Sequence, residues 1–126
     1  MEENTMSEHI KPGVMKNINA KEVMVLKDQV ACLPGQVISK TLAQNDHVSV
    51  TLFAFGAGEE IASHRAGGDA FVTTLEGKVE ITIDDDTFVL EAGNSIVMPL
   101  GRPHALKALE DFKMMLVIIY PENSGE

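Results

Sequence analysis

Three side chains of this sequence have the chemistry to bind a divalent metal ion or to transfer a proton. His64 and Asp69 lie in one stretch, residues 58–77, which contains four glycines, and His104 lies in a second stretch, residues 93–108. Imidazole and carboxylate groups bind Zn, Ni, Mn and Fe, and imidazole also acts as a general acid or base near neutral pH. Because two imidazoles alone hold a divalent ion weakly, the orientation of Asp69 decides whether a third protein ligand is available.

Glycines and a proline stand at fixed distances from the two histidines. Seven residues define the spacing of the two stretches: Gly58, His64, Gly77, Gly93, Pro99, Gly101 and His104. At these spacings the chain resembles the paired motifs of the cupin superfamily, in particular its small single-domain proteins of the cupin 2 conserved barrel type. The resemblance covers about residues 37–120. It implies an antiparallel double-stranded β-helix, the jelly-roll or cupin barrel, with both imidazoles directed into the barrel.

A complete cupin site offers three histidines and one glutamate, and this chain departs from that set at two positions. Ala66 stands in place of the second histidine, and Ala70 stands in place of the glutamate. Ala108 also replaces the asparagine that closes the second motif. The resemblance therefore implies a degenerate metal site, in which His64 and His104 hold a divalent ion such as Zn, Ni, Mn or Fe weakly.

Asp69 supplies a third ligand only if its strand is locally irregular. It stands one residue before the glutamate position, so strict alternation points it outward, whereas a bulge at residues 67–68 would turn it inward. A second register also stays open at this point. In that register His64 fills the second histidine slot and Ala62 the first, with Asp69 at an acceptable distance, at the loss of two glycine spacings.

The segments that must position these residues alternate apolar and polar side chains with a period of two, which predicts β-strands. A turn of three aspartates between residues 79–83 and 88–90 predicts a hairpin. Residues 20–30 are a helical candidate that fits a strand about as well. The other predicted strands are residues 37–42, 48–55, 95–98 and 112–120. Many short strands without a convincing amphipathic helix indicate an all-β sandwich or barrel.

Length and composition predict one domain of 126 residues, since 44% apolar residues suffice for one core. We expect residues 13–120 to form a single cupin barrel, with flexible tails at residues 1–12 and 121–126. A net charge of −9 with scattered basic residues argues against a nucleic-acid partner. The sequence has no apolar run long enough for a membrane span and no signal-peptide pattern, so we expect a cytoplasmic protein.

These features predict a protein that binds a small polar ligand in its barrel, in a pocket of His64, His104 and Met98. No reaction class follows, because the cupin fold serves many reactions. The alternative is a metal-dependent enzyme of the isomerase, decarboxylase or dioxygenase type. It would act on a small polar metabolite through His64, His104 and Asp69.

Residues 112–120 are apolar on both faces, although a strand in an isolated small barrel needs only its inner face apolar. Either residues 13–30 of the same chain or a second subunit would cover the outer face. Small cupins commonly dimerise, so the resemblance implies a homodimer.

Overall fold

The computed structural model describes residues 9–122, and within that range the chain forms nine strands in two antiparallel sheets. The strands are β1 (Val37–Gln44), β2 (Val48–Phe55), β3 (Glu60–His64), β4 (Asp69–Glu76), β5 (Lys78–Ile83), β6 (Asp86–Glu91), β7 (Ser95–Met98), β8 (His104–Ala108) and β9 (Phe112–Ile119). One sheet has the order β1-β2-β9-β4-β7, and the other has the order β3-β8-β5-β6. The predicted all-β fold of the jelly-roll type is therefore confirmed.

Apolar residues from the inner faces of both sheets fill the space between them. In β5 the alternation buries Val79, Ile81 and Ile83, as its sequence pattern predicts. The rings of Phe55 and Phe112 meet edge to face with centroids 5.3 Å apart, at the end of β2 and the start of β9. An aromatic pair of this geometry contributes about 0.5–1.5 kcal/mol beyond the burial of its surface. Burial of these apolar residues determines which side chains of each strand point into the barrel and which point outward.

The chain ahead of β1 packs on the outer face of the five-stranded sheet. Residues 20–30 form neither a helix nor a strand there: the segment is irregular apart from a single bridge at Ala20 and one 3₁₀ turn, Leu26–Gln29. Leu26 and Val30 of this segment pack against a second apolar cluster that contains Leu42 and Leu52. Packing on the sheet explains why residues 20–30 do not form a helix, since tertiary contacts override a weak helix propensity.

The predicted tails are only partly within the described residues. Residues 1–8 and 123–126 lie outside them, whereas residues 9–12 are attached, because Ile10 forms a β-bridge with Ala20. The His9 imidazole also contacts the Glu22 carboxylate at 2.9 Å. No helix between residues 9 and 122 is long and apolar enough to cross a membrane.

Two glycines permit close approaches of the backbone. Gly77 joins β4 to β5 with a φ of +82°, and a Cβ atom there would overlap the carbonyl oxygen of Asp111. Gly68 precedes β4, and a Cβ atom there would overlap the carbonyl oxygen of Ile119. Both contacts hold β9 against its neighbours, so these positions accept no larger residue without a shift of the backbone.

The topology brings the ends of several strands to one end of the barrel, which we call the histidine end. There β3 ends at His64 and β8 begins at His104. The turn between β5 and β6, the loop between β7 and β8, and the turn between β1 and β2 lie at the same end, because their strands run antiparallel to each other. The turn between β5 and β6 and the loop between β7 and β8 adjoin the histidines in their own sheet, whereas the turn between β1 and β2 belongs to the other sheet.

Candidate functional site

His104 begins β8 and points into the barrel. Its side chain is 2% exposed, and the next inward residues of β8, Leu106 and Ala108, are also buried. On its β5 side His104 pairs with Ile83. The imidazole therefore has an apolar floor below it, and it is the buried member of the site.

His64 lies directly opposite His104 in the pairing of β3 with β8. The two ring centroids are 4.4 Å apart and the ring planes are inclined at 68°. Directly opposed residues of an antiparallel pair point to the same face of the sheet. His64 is exposed while His104 is buried, so the pair extends from the core to the solvent at the histidine end.

An irregularity in β3 produces this alignment. Ile61 pairs with Leu106 and His64 pairs with His104, so β3 uses three residue steps where β8 uses two. In a regular pairing Ser63 would lie opposite His104, and His64 would point away from the barrel. The bulge therefore turns His64 onto the inner face.

Both imidazoles are oriented by backbone carbonyl groups of their own strands and loops. His64 Nδ1 lies 3.0 Å from the Ala62 carbonyl oxygen, and His104 Nδ1 lies 3.2 Å from the Arg102 carbonyl oxygen. A carbonyl oxygen only accepts hydrogen bonds, so each Nδ1 carries the hydrogen and each neutral ring has its lone pair on Nε2. Metal-binding histidines are oriented in the same manner, with the second ring nitrogen donating to a carbonyl or carboxylate.

Burial lowers the pKa of His104, and the electrostatic effect of the neighbouring His64 lowers it further. The Arg102 carbonyl group opposes these effects by accepting a hydrogen bond from the ring. His104 is therefore held as a neutral base, the form that binds metal ions or accepts a proton.

This shift predicts that His104 makes the stability of the metal-free protein depend on pH. Because the folded pKa lies below the unfolded value of about 6.5, the unfolded chain binds more protons in acid. The contribution of His104 is therefore complete above about pH 6.5 and is lost as the pH falls through the folded pKa. Urea unfolding in the presence of a chelator, at about pH 7.5 and about pH 5, measures this loss.

His104→Leu serves as the test variant, and His47→Leu, which replaces an exposed histidine between β1 and β2, serves as its control. The His104 variant should lose less stability on acidification than the wild type, and the His47 variant should match the wild type. An equal acid dependence in the His104 variant and the wild type would contradict the assignment.

The structure does not turn Asp69 toward the histidines. Asp69 begins β4 and is exposed, whereas Ala70 is the residue that points inward. The pairing of β4 with β9 is regular from Asp69 to Thr74, so no bulge reverses the alternation there. The Asp69 carboxylate instead accepts a hydrogen bond of 2.9 Å from the Leu100 backbone N–H. In the described part of the chain no three His, Cys, Asp or Glu side chains form a group that could hold a metal.

Apolar side chains occupy the interior below the histidine pair. Ala70 pairs with Met98 on one side and Ile118 on the other, and both Ala70 and Met98 are 1% exposed. Met98 therefore lies in the core, and its role in lining a ligand pocket stays a prediction. Three surface clefts of about 350–610 Å³ lie elsewhere, and neither histidine lines any of them. A ligand of the pair would bind at the surface of the histidine end.

Two arginines flank this surface. Arg102 forms an ion pair with Asp84 of the turn between β5 and β6 at 2.9 Å, and Arg65 donates a hydrogen bond to the Gly101 carbonyl oxygen. These contacts fix the loop between β7 and β8 next to His64. Because Arg65 follows His64 and Arg102 precedes His104 in the sequence, both arginines were expected near the site. The motifs did not indicate which groups the arginines contact.

Comparisons with known proteins give a consistent result. The family model described as "Cupin domain" matches residues 51–120. A conserved protein of unknown function from Streptococcus pyogenes is 42% identical, with a TM-score of 0.85 over 88% of this chain and 97% of that one. A cupin superfamily protein from Desulfitobacterium hafniense is 29% identical, with a TM-score of 0.81 over 85% and 98% of the two chains.

A cupin 2 conserved barrel domain protein from Leptotrichia buccalis is 34% identical, with a TM-score of 0.72. The match covers 74% of this chain and 45% of that protein. No curated protein matches this chain.

Proposed function

The chain belongs to the cupin family, and from that premise we propose that it binds a small polar ligand at the histidine end through His64 and His104. The observation that supports this is the pair of rings 4.4 Å apart, each with Nδ1 committed to a carbonyl oxygen and Nε2 left with its lone pair. Neutral Nε2 atoms accept hydrogen bonds from a ligand or bind a metal ion. The exposed side of His64 provides access from the solvent.

The same donors fit a divalent ion that keeps water or ligand oxygen atoms in its remaining positions. His64 and His104 would hold the ion, and the ion would supply positive charge for an anionic or carbonyl-containing ligand. Two protein ligands give weaker retention than the three or four of a complete site. We therefore propose that the metal is exchangeable, and that the chain's own contribution is to orient both rings and to exclude water beneath them.

Metal titration of chelator-treated protein tests this proposal. Isothermal titration with Ni²⁺ at neutral pH should give one site per chain, and His64→Ala or His104→Ala should weaken it at least about 100-fold, since even losing an outer partner of a ligand costs about 10–100-fold. With Ni²⁺ bound, oxalate, a small chelating dianion, should bind as a second titrant.

His47→Ala is the matched control, because His47 is exposed and lies on the turn between β1 and β2. It should leave both titrations unchanged. Undiminished Ni²⁺ binding in the double variant H64A/H104A would place the ion elsewhere and refute the proposed site.

The alternative of a metal-dependent enzyme relied on Asp69 as a third ligand. Its carboxylate is bonded to the Leu100 N–H and lies on the face of β4 opposite to Ala70. This placement gives no support to catalysis through Asp69. A cytoplasmic location stays a prediction from the sequence.

An apolar row on the outer face of the five-stranded sheet supports a homodimer. Val50, Val117, Phe71 and Val97 are successive partners across β2, β9, β4 and β7. Phe71 is 43% exposed and Val97 is 49% exposed, and neither belongs to the apolar cluster that the segment ahead of β1 packs against. We therefore propose a two-fold homodimer that buries this row.

Sedimentation equilibrium at micromolar protein should give twice the monomer mass. Replacing Phe71 and Val97 by lysine should give monomers, because paired charges of like sign would be desolvated in a standard interface of about 1,600 Å². The control is Val89→Lys in β6, at an exposed valine of the other sheet, which should stay dimeric. A monomeric wild type would refute the dimer.

A further inference from the structure

A cleft of about 510 Å³ separates the segment ahead of β1 from β1 itself, on the outer side of the five-stranded sheet. Its volume is in the range of pockets that hold small metabolites, about 300–1,000 Å³. Its polar lining consists of three lysines and three carboxamides: Lys11, Lys16, Lys40, Asn17, Asn19 and Gln29. The cleft shares no lining residue with the histidine end.

The charge of this cleft is opposite to that of the protein. The chain has a net charge of −9 and ten lysines and arginines in all, yet three of those ten line this one cleft. Among residues 9–122, none that lines it is acidic. Glu22 lies near its edge, but both of its carboxylate oxygens are engaged, one with His9 and one with Asn19. The local potential therefore favours an anion.

The cleft is held in shape by bonds to the edge strand. The Lys16 backbone N–H donates to the Leu42 carbonyl oxygen at 2.7 Å, and the Asn17 side-chain amide donates to the Thr41 carbonyl oxygen at 2.8 Å. Asn17 adopts a left-handed conformation with φ of 61°, which asparagine tolerates better than most residues. These contacts fix the backbone that presents Lys16 beside β1.

Lys40 lines the cleft, and no carboxylate of the described residues balances its charge. It is half-buried, and its ammonium group donates to the side-chain amide oxygen of Gln29, Oε1, at 3.3 Å, a neutral acceptor. Across residues 9–122 no carboxylate lies within 4.0 Å of Lys40 Nζ. A partly desolvated ammonium group with only a neutral partner is stabilised when an anion binds beside it.

We propose that this cleft binds a small organic oxyanion that carries phosphate or carboxylate groups. Lys40 and Lys16 bind the charged group, and Gln29 and Asn19 offer amide donors or acceptors to the rest of the molecule. Met15 and Ile18 in the wall supply apolar contact for its carbon skeleton. The site is separate from the proposed metal and ligand site at the histidine end.

Isothermal titration of the full chain with inorganic pyrophosphate and, separately, with citrate tests the proposal. At least one should bind saturably, and the stronger of the two identifies phosphate or carboxylate as the recognised group. Lys40→Gln and Lys16→Gln should each weaken binding about tenfold or more, because each removes the positive charge and with it a charge-assisted hydrogen bond, while keeping an uncharged polar side chain.

Lys107→Gln, at an exposed lysine of β8, is the charge-matched control and should leave the affinity unchanged. The variant H64A/H104A should also bind the anion normally, which separates this site from the histidine pair. Thermal unfolding confirms that each variant is folded. The proposal is overturned if neither probe binds below about 10 mM, or if Lys107→Gln weakens binding as much as Lys40→Gln.

Discussion

Gly77→Ala should destabilise the protein by about 2–5 kcal/mol, a large part of the total stability of a domain of this size. The left-handed φ of +82° costs a residue with a Cβ atom about 1–2 kcal/mol. The new Cβ atom would also overlap the Asp111 carbonyl oxygen, so the start of β9 must move, at a cost typical of overpacking, about 1–3 kcal/mol. Urea unfolding at one protomer concentration measures the loss.

Two glycines separate the contributions of backbone conformation and overlap. Gly93 has a φ of +94° with open space around a new Cβ atom, so Gly93→Ala should lose only about 1–2 kcal/mol. At Gly68 the φ is not left-handed, but a new Cβ atom would overlap the Ile119 carbonyl oxygen. Gly68→Ala should therefore lower the free energy of unfolding by about 1–3 kcal/mol. If Gly77→Ala lowers the free energy of unfolding no more than Gly93→Ala does, the close contact of Gly77 with Asp111 does not constrain the fold.

Restoring the two missing ligands should tighten metal binding at least about 100-fold. The double variant Ala66→His and Ala70→Glu adds a third imidazole and a carboxylate to the existing pair, which completes the ligand set implied by the family motifs. Ala70 is 1% exposed and faces Met98 and Ile118, so an unliganded glutamate there should lower stability. Binding of the metal ion should restore the stability of the variant. Competition with a chromophoric chelator measures the affinity, and thermal unfolding with and without Zn²⁺ measures the coupling.

Ala62→His with Ala70 left unchanged is the discriminating control. In the second register Ala62 occupies the first histidine slot, so this variant would tighten binding if that register were correct. The pairing of His64 with His104 and the exposed position of Ala62 favour no gain. A larger gain from Ala62→His than from the double variant would contradict the proposed slots.

The sequence allowed most of the strands to be predicted because their alternation is strong. Residues 95–98 and 48–55 form strands at the predicted bounds, and residues 37–42 and 112–120 do so within two residues. The spacing of the two motifs also indicated that His64 and His104 would approach each other, and the structure brings their rings together. Glycine-rich turns and alternating strands are local signals, so a single sequence contains them.

Other features depended on contacts that no local signal encodes. The bulge in β3 falls at residues 62–63, Ala and Ser, which carry no preference for an extra residue, so alternation from Ile61 would have pointed His64 outward. Residues 20–30 had an ambiguous period, and their conformation is set by packing on Leu42 and Leu52. The sequence allowed Asp69 to point either into the barrel or outward. In the structure it points outward, where its carboxylate accepts a hydrogen bond from the Leu100 N–H of the loop between β7 and β8.

The position of β9 also governs when the barrel can form during synthesis. β9 is the last of the described strands along the chain, yet it lies between β2 and β4 at the centre of its sheet. A growing polypeptide therefore leaves both strands without their shared neighbour, with exposed backbone edges, until residue 119 has left the ribosome. Such long-range pairing is slow because loop closure precedes any gain in contacts. This domain therefore completes folding only after translation of β9, and chains interrupted before Phe112 should be substrates for chaperones or proteases.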